Sequence, residues 1–336
     1  MNVKQIVYLA ATFFGVTSGF LACKSDQGFG SKADTTASQS IAADVRLYAD
    51  PYWGLENAFP SLTDEEKGKL EILRYQPSAV WFGEWSGDVR QSAAELAQRA
   101  GDDKYAQVVV YNIPGRDCGQ YSAGGLDNDK VYKQWVEDLA VGMGSQKAVY
   151  ILEPDALALG ACSGGEEDLS KRLGLLAAVI PSLKRNPESL VYIDAGHSAW
   201  LDPLEVARRL KLAGIDLADG FALNTSNYQR TAELKEYGRK VLAALELSSS
   251  RKNFIIDTSR NGNGPVSDPS SAEDSWCNPA GMAIGELPTL LTGDPDVFAY
   301  LWVKRPGESD GNCNGGPSAG EFWKEKALEL VQQAQK

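Results

Sequence analysis

The chain predicts an α/β fold, a barrel of about seven parallel strands in a single domain, and three observations carry that expectation. Short apolar runs alternate with stretches of helical periodicity from residue 45 to 336, the pattern of repeated β/α units and a largely parallel sheet. Polar clusters follow the apolar runs at one end only, whereas connections into the runs, such as Ser145-Gln146-Lys147 and Arg185-Asn186-Pro187, read as plain turns. No linker, repeat or low-complexity break divides the stretch, which suits one barrel better than two domains.

The elements follow in chain order. Lys4 opens an amino terminus that is almost free of charge from 6 to 22, so residues 1–22 read as a signal peptide. Phe20-Leu21-Ala22-Cys23 resembles a lipobox, with Phe20 where Leu is usual. Cleavage before Cys23 and a lipid on its thiol would give a cell-envelope lipoprotein whose membrane partner is reached through that lipid. The alternatives are an uncleaved anchor or an ordinary signal peptide and a secreted product. Residues 23–44 are Ser, Thr, Asp, Gly and Ala with little to bury, the composition of a flexible tether, and the folded domain is 45–336. Strands are expected at 79–83, 107–112, 148–152, 190–193, 220–223, 253–256 and 297–303, and helices at 88–99, 131–142, 169–184, 203–212, 233–247 and 322–333. Apart from Cys23, four cysteines remain; export permits disulfides, and the residues alone allow three pairings of Cys118, Cys162, Cys277 and Cys313.

Composition narrows the chemistry. A net charge of −12 and a pI near 4.8 argue against nucleic acid, which needs a basic face. His197 is the one histidine, which excludes a His-rich metal site and leaves little room for a Ser-His-Asp triad. Neither metal nor cofactor is expected, the protein is expected to act as a monomer, and any catalysis must rest on carboxylates.

Those carboxylates fall where a barrel's active face would lie. The apolar run Val149-Tyr-Ile-Leu152 enters Glu153-Pro154-Asp155 directly, and acids at the carboxyl end of a barrel strand are candidate proton donors. Tyr111 to Asp117, Asp194 with His197, Asn224, Asp257 with Arg260, and Lys304 to Asp310 occupy the equivalent ends of other strands. Paired acids with aromatic platforms point to a sugar polymer, because glycoside hydrolysis needs a proton donor and an ionised carboxylate while flat rings stack on pyranoses. Trp81, Trp200 and Trp276 are the candidate platforms, the last two in loops rich in Gly, Pro, Asn and Ser.

Seven ordered motifs run across nearly all of 45–336. They are Tyr-Asn-Ile-Pro-Gly-Arg-Asp-Cys at 111–118, Glu-Pro-Asp-Ala-Leu-Ala at 153–158, Asp-Ala-Gly-His-Ser-Ala-Trp at 194–200 and Asn-Thr-Ser-Asn-Tyr at 224–228. Asp-Thr-Ser-Arg-Asn-Gly-Asn-Gly at 257–264, Trp-Cys-Asn-Pro at 276–279 and Leu-Trp-Val-Lys-Arg-Pro-Gly-Glu-Ser-Asp-Gly at 301–311 complete the set. Together they resemble glycoside hydrolase family 6, the inverting cellulases, and the resemblance implies a distorted β/α barrel and inverting hydrolysis of β-1,4-glucan. It implies Asp155 as general acid, Asp117 as the charge that raises the acid's pKa, and Asp310 as the proposed base, held by Lys304 and Arg260 and reached through water. Tyr111 matches the ring that crowds the sugar at the cleavage point. Trp81, Trp200 and Trp276 match stacking platforms, and Lys304 and Glu308 match hydrogen-bonders to sugar hydroxyls. Asn224 and His197 are read as further substrate contacts and Asp194 as a supporting residue. The resemblance also selects the pairing Cys118–Cys162 and Cys277–Cys313.

The chain departs from the family at Ala123, the slot of a serine that helps to position the attacking water, so Ser122 or a backbone carbonyl must take over or turnover slows. Only Gly311 and Asn312 separate Asp310 from Cys313, where exo-acting members carry a long roofing loop, so an open cleft and internal cleavage are expected. The rival readings are an exo-acting cellobiohydrolase, a non-catalytic glycan-binding lipoprotein supported by Ala123, and an envelope protein whose barrel is structural.

Overall fold

Seven parallel strands lie side by side in sequence order: β1 (Val80–Phe82), β2 (Ala106–Val110), β3 (Ala148–Leu152), β4 (Leu190–Asp194), β5 (Gly220–Leu223), β6 (Asn253–Asp257) and β7 (Val297–Leu301). The computed structural model describes residues 46–119, 122–160, 162, 164–246, 252–266 and 275–335. The signal peptide and tether expected at 1–44, with Cys23, lie outside them. Among the described residues no helix is long and apolar enough to cross a membrane.

Alternation along the strands decides what each face meets. Val108, Val110, Tyr150 and Leu152 point outward into the layer of helices, while Val109, Val149 and Ile151 point inward with Tyr192, Ala222, Ile255 and Leu301 to fill the barrel. The helical layer is formed by α3 (Val89–Ala100), α4 (Asp129–Met143), α6 (Glu166–Leu183), α7 (Pro203–Leu212) and α8 (Thr231–Leu245). Their starts follow from local chemistry: Asp88 accepts from the Gln91 N–H, Asn128 from those of Lys130 and Val131, and Asp202 from that of Leu204 ahead of Pro203. A four-residue helix, α5 (Ala156–Leu159), follows the β3 end directly.

The barrel is distorted at the seam between its first and last strands. Among the described residues no ladder joins β7 to β1; the Ala79 N–H reaches the Trp302 carbonyl at 3.0 Å, and the Trp81 indole N–H reaches that of Val303 at 2.8 Å. Helices α1 (Trp53–Ala58), α2 (Asp64–Tyr75) and α9 (Lys324–Gln333) flank this region. Leu55, Leu70, Leu73, Leu330 and Val331 pack with the fully buried Trp302 into a third apolar cluster there. Helix α2 is not among those expected from the apolar periodicity, although Thr63 and Glu66 form a reciprocal capping box at its start.

Candidate active site

Three buried carboxylates shape the carboxyl face before any ligand enters it. Glu153, enclosed at the end of β3, accepts the N–H of Asn112 at 3.0 Å and of Ile113 at 3.2 Å. Asp257 accepts the N–H groups of Val303 and Lys304, each at 3.2 Å, and of Ser226 and Ser259, each at 2.9 Å. These bonds replace ladder bonds, which is why β2 and β7 stop short of the 112 and 303 expected from sequence. Asp194 accepts from the N–H of Asp155 at 3.0 Å and of Gly196 at 3.1 Å.

The turn after β3 is strained. Glu153 has φ 48° and Asp155 φ 70°, on either side of Pro154; left-handed backbone costs of order 1–3 kcal/mol at a non-glycine residue. The bonds to Glu153 and Asp194 hold that strain and turn the Asp155 carboxyl into the cleft. Burial first, then the charge of Asp194, then that of Asp117, push the Asp155 pKa well above the usual carboxylate range. Asp194 itself is raised to about 6 by burial, against its hydrogen bonds. Glu153 is raised to about 7 for the same reason, opposed by the Asn112 and Ile113 N–H groups. Asp117 is raised by burial, against the Ser122 N–H at 2.7 Å and the nearby Arg116. Asp194, read from sequence only as a supporting residue, therefore weighs more on Asp155 than Asp117 does.

Asp310 has the opposite electrostatics. Burial would raise its pKa, but Arg260 and Lys304 outweigh burial and lower it. The Arg260 guanidinium donates to both carboxylate oxygens at 2.9 and 2.8 Å, and the Lys304 ammonium stands 3.7 Å away. The Tyr228 hydroxyl at 3.2 Å and the Asn278 N–H at 3.0 Å complete the shell. A carboxylate so held stays ionised and makes a poor direct base.

One cavity of about 340 Å³ gathers most of the residues singled out in the sequence: Trp81, Tyr111, Asp117, Asp155, His197, Trp200, Trp276, Lys304 and Asp310. A second, of about 640 Å³, shares Trp81, Tyr111, Ser122 and Lys304 with it and adds Ala123 and Glu308, so the two form one groove. Trp81 meets Tyr111 edge-on at 5.2 Å, and His197 stacks on Trp200 at 4.7 Å. Burial lowers the His197 pKa to about 4, so its ring is neutral near pH 7. Trp200 and Trp276 keep 41% and 37% of their surface exposed.

Other residues stand behind the groove. Arg260 and Asp194 are buried, the first donating to the Asp310 carboxylate and the second accepting from the Asp155 N–H. Asn224 is fully enclosed: its amide donates to the Asp257 and Asn227 carbonyls and accepts from the Gln229 N–H, and it is Thr225, Ser226 and Asn227 that line the cavity. Ala123 is exposed beside Ser122, whose hydroxyl-bearing residue lines both cavities while its carbonyl accepts from Arg116 at 2.8 Å. Cys118–Cys162 and Cys277–Cys313 are the disulfides formed, one beside Asp117 and one beside Asn278 and Asp310. Trp85, 54% exposed in the second cavity, was not singled out in the sequence.

Residues 42–334 match the family model described as glycosyl hydrolases family 6. Endoglucanase A of Cellulomonas fimi is 44% identical over 293 residues, covering 86% of this chain and 61% of the relative, so the chain spans under two thirds of that protein. Endoglucanase 1 of Streptomyces halstedii is 41% identical over 260 residues, 76% of this chain and 78% of the relative. Among solved structures, an endoglucanase of Mycobacterium tuberculosis in complex with methyl-cellobiosyl-4-deoxy-4-thio-β-D-cellobioside superposes with a TM-score of 0.76 at 37% identity, covering 86% of this chain and 97% of that one.

Proposed function

The chain belongs to glycosyl hydrolases family 6, and from that premise we propose that it hydrolyses internal β-1,4-glucosidic bonds of cellulose or a related β-glucan with inversion at the anomeric carbon. The observation that carries this reading is the pairing, in one open groove floored by tryptophans, of a carboxyl pushed toward protonation with a carboxylate held ionised. Asp155 donates its proton to the glycosidic oxygen as the bond breaks. Asp194 and Asp117 keep that proton in place near neutral pH. Water attacks from the opposite face of the ring and passes its proton toward Asp310 through further water, since the Asp310 oxygens are already engaged. Tyr111, under the Arg116 guanidinium 4.5 Å from its ring centre, crowds the sugar at the point of cleavage.

Internal cleavage is favoured over chain-end release by the exposure of Trp200 and Trp276 and by the short connection from Asp310 to Cys313. The polymer can then enter from the side. Export with a lipid on Cys23 is part of the same proposal, supported by the leader sequence and by the two disulfides, which need an oxidising compartment. The test is viscosity loss of soluble cellulose derivatives and mixed-linkage glucan against reducing ends released. Rapid viscosity loss per bond cut is expected; steady cellobiose release with slow viscosity loss would replace the endo reading by the exo one, and binding without hydrolysis would leave a glycan-binding protein.

A further inference from the structure

We infer that Trp85 forms an additional glucan-binding position that extends the groove past Trp81, a step that rests on the glucan-hydrolysing reading above. Trp85 lies just past β1, four residues after Trp81, in the short 3-10 turn Glu84–Ser86. The indole keeps 54% of its surface exposed and lines the second cavity. Here it is also held in place. Its N–H reaches the Trp81 carbonyl at 3.4 Å, and its ring lies over Gly83, where an added Cβ would fall 2.5 Å from ring carbons. Gly83 has φ −152°, ordinary extended backbone, so glycine there is explained by the space the indole takes and not by the chain's path.

The surroundings match a pyranose. Arg116 lies between Tyr111 and Trp85, 4.5 Å from one ring centre and 5.2 Å from the other, and is fixed by paired hydrogen bonds to Glu84 at 2.6 and 2.9 Å. One guanidinium thus neighbours both the indole and the Tyr111 ring. Glu308, Glu321 and Arg305 line the same cavity and offer polar groups beside the aromatic face, as a sugar with an apolar ring face and equatorial hydroxyls requires. The cavity is continuous with the one that contains Asp155, so its occupant is the next part of the same glucan chain.

The test is calorimetric binding of cellohexaose and cellotriose to the full chain carrying Asp155→Asn, which spares the ligand, with and without Trp85→Ala or Trp85→Phe. The ratio of hexaose to triose affinity is expected to fall roughly three- to tenfold with Trp85→Ala and to recover for the most part with Trp85→Phe. An unchanged ratio, or an equal loss for both sugars, would overturn the inference while leaving the glucan reading intact. Failure of the Asp155→Asn protein with native Trp85 to bind either sugar would overturn both.

Discussion

Replacing Arg260 with methionine strands Asp310 in the protein interior, and the structure sets both the size and the pH dependence of the result. The two side chains are 3% and 8% exposed and make two hydrogen bonds to each other; removing one partner of such a pair costs about 3–5 kcal/mol. Part of that loss is independent of pH, because Arg260 also donates to the Ser226 carbonyl and stacks 4.6 Å from the Tyr228 ring centre. The rest is electrostatic and has a definite sign. In the native chain the Asp310 pKa is depressed, so the pair's contribution is complete above the unfolded carboxyl value near ~4 and is lost as pH falls through the folded value. Without Arg260, burial is opposed chiefly by Lys304 and the Asn278 N–H, the pKa rises above the unfolded value, and the variant loses stability as pH rises. Urea unfolding at pH 4 and pH 7 should therefore show a gap between native and variant proteins that is wider at pH 7. A gap as large at pH 4 as at pH 7 would refute the electrostatic account and leave only packing.

Three further outcomes are expected. Asp194→Asn removes the larger like charge beside Asp155, so the alkaline limb of kcat should move to lower pH, and an unmoved limb would leave burial and Asp117 as the causes of the raised pKa. Ala123→Ser restores a hydroxyl next to Ser122 and should raise turnover by up to roughly tenfold if water positioning limits the rate, for about a kcal/mol of added transition-state hydrogen bonding; an unchanged rate would mean another group already holds that water. Cys277→Ser with Cys313→Ser opens a link between residues 36 apart and should cost about 4 kcal/mol in unfolding free energy, with a loss below about 1 kcal/mol contradicting a stabilising role.

The barrel was legible because its strands are apolar on both faces and its helices amphipathic, so 148–152, 203–212 and 220–223 coincide with β3, α7 and β5. Helix α2 was not, since its run Asp-Glu-Glu-Lys-Gly-Lys-Leu-Glu-Ile-Leu-Arg-Tyr buries only Leu70 and Leu73, and the α9 residues that share its apolar cluster come from the far end of the chain. In the site, Glu153 and Asp155 look alike as sequence. Their backbones separate them, one carboxylate capping Asn112 and Ile113, the other turned into the groove. The influence of Asp194 on Asp155 required the β3–β4 pairing to be known in space. Trp85 carries a readable signal, a second tryptophan four residues after Trp81 between Gly83 and Gly87, but it lies beyond the strand end that marks Trp81.

The central claim, that Asp155 delivers the proton to the departing sugar, is tested most directly by the leaving-group dependence of Asp155→Ala. The sugar expelled from a polymeric β-glucan would leave as an alkoxide and needs the proton, whereas a dinitrophenyl β-cellotrioside expels a stabilised phenolate that does not. Turnover of the glucan is expected to fall by about 10²–10⁴-fold while that of the aryl glycoside falls far less. Equal losses on both substrates would contradict proton donation by Asp155 and reduce it to a structural part of the groove.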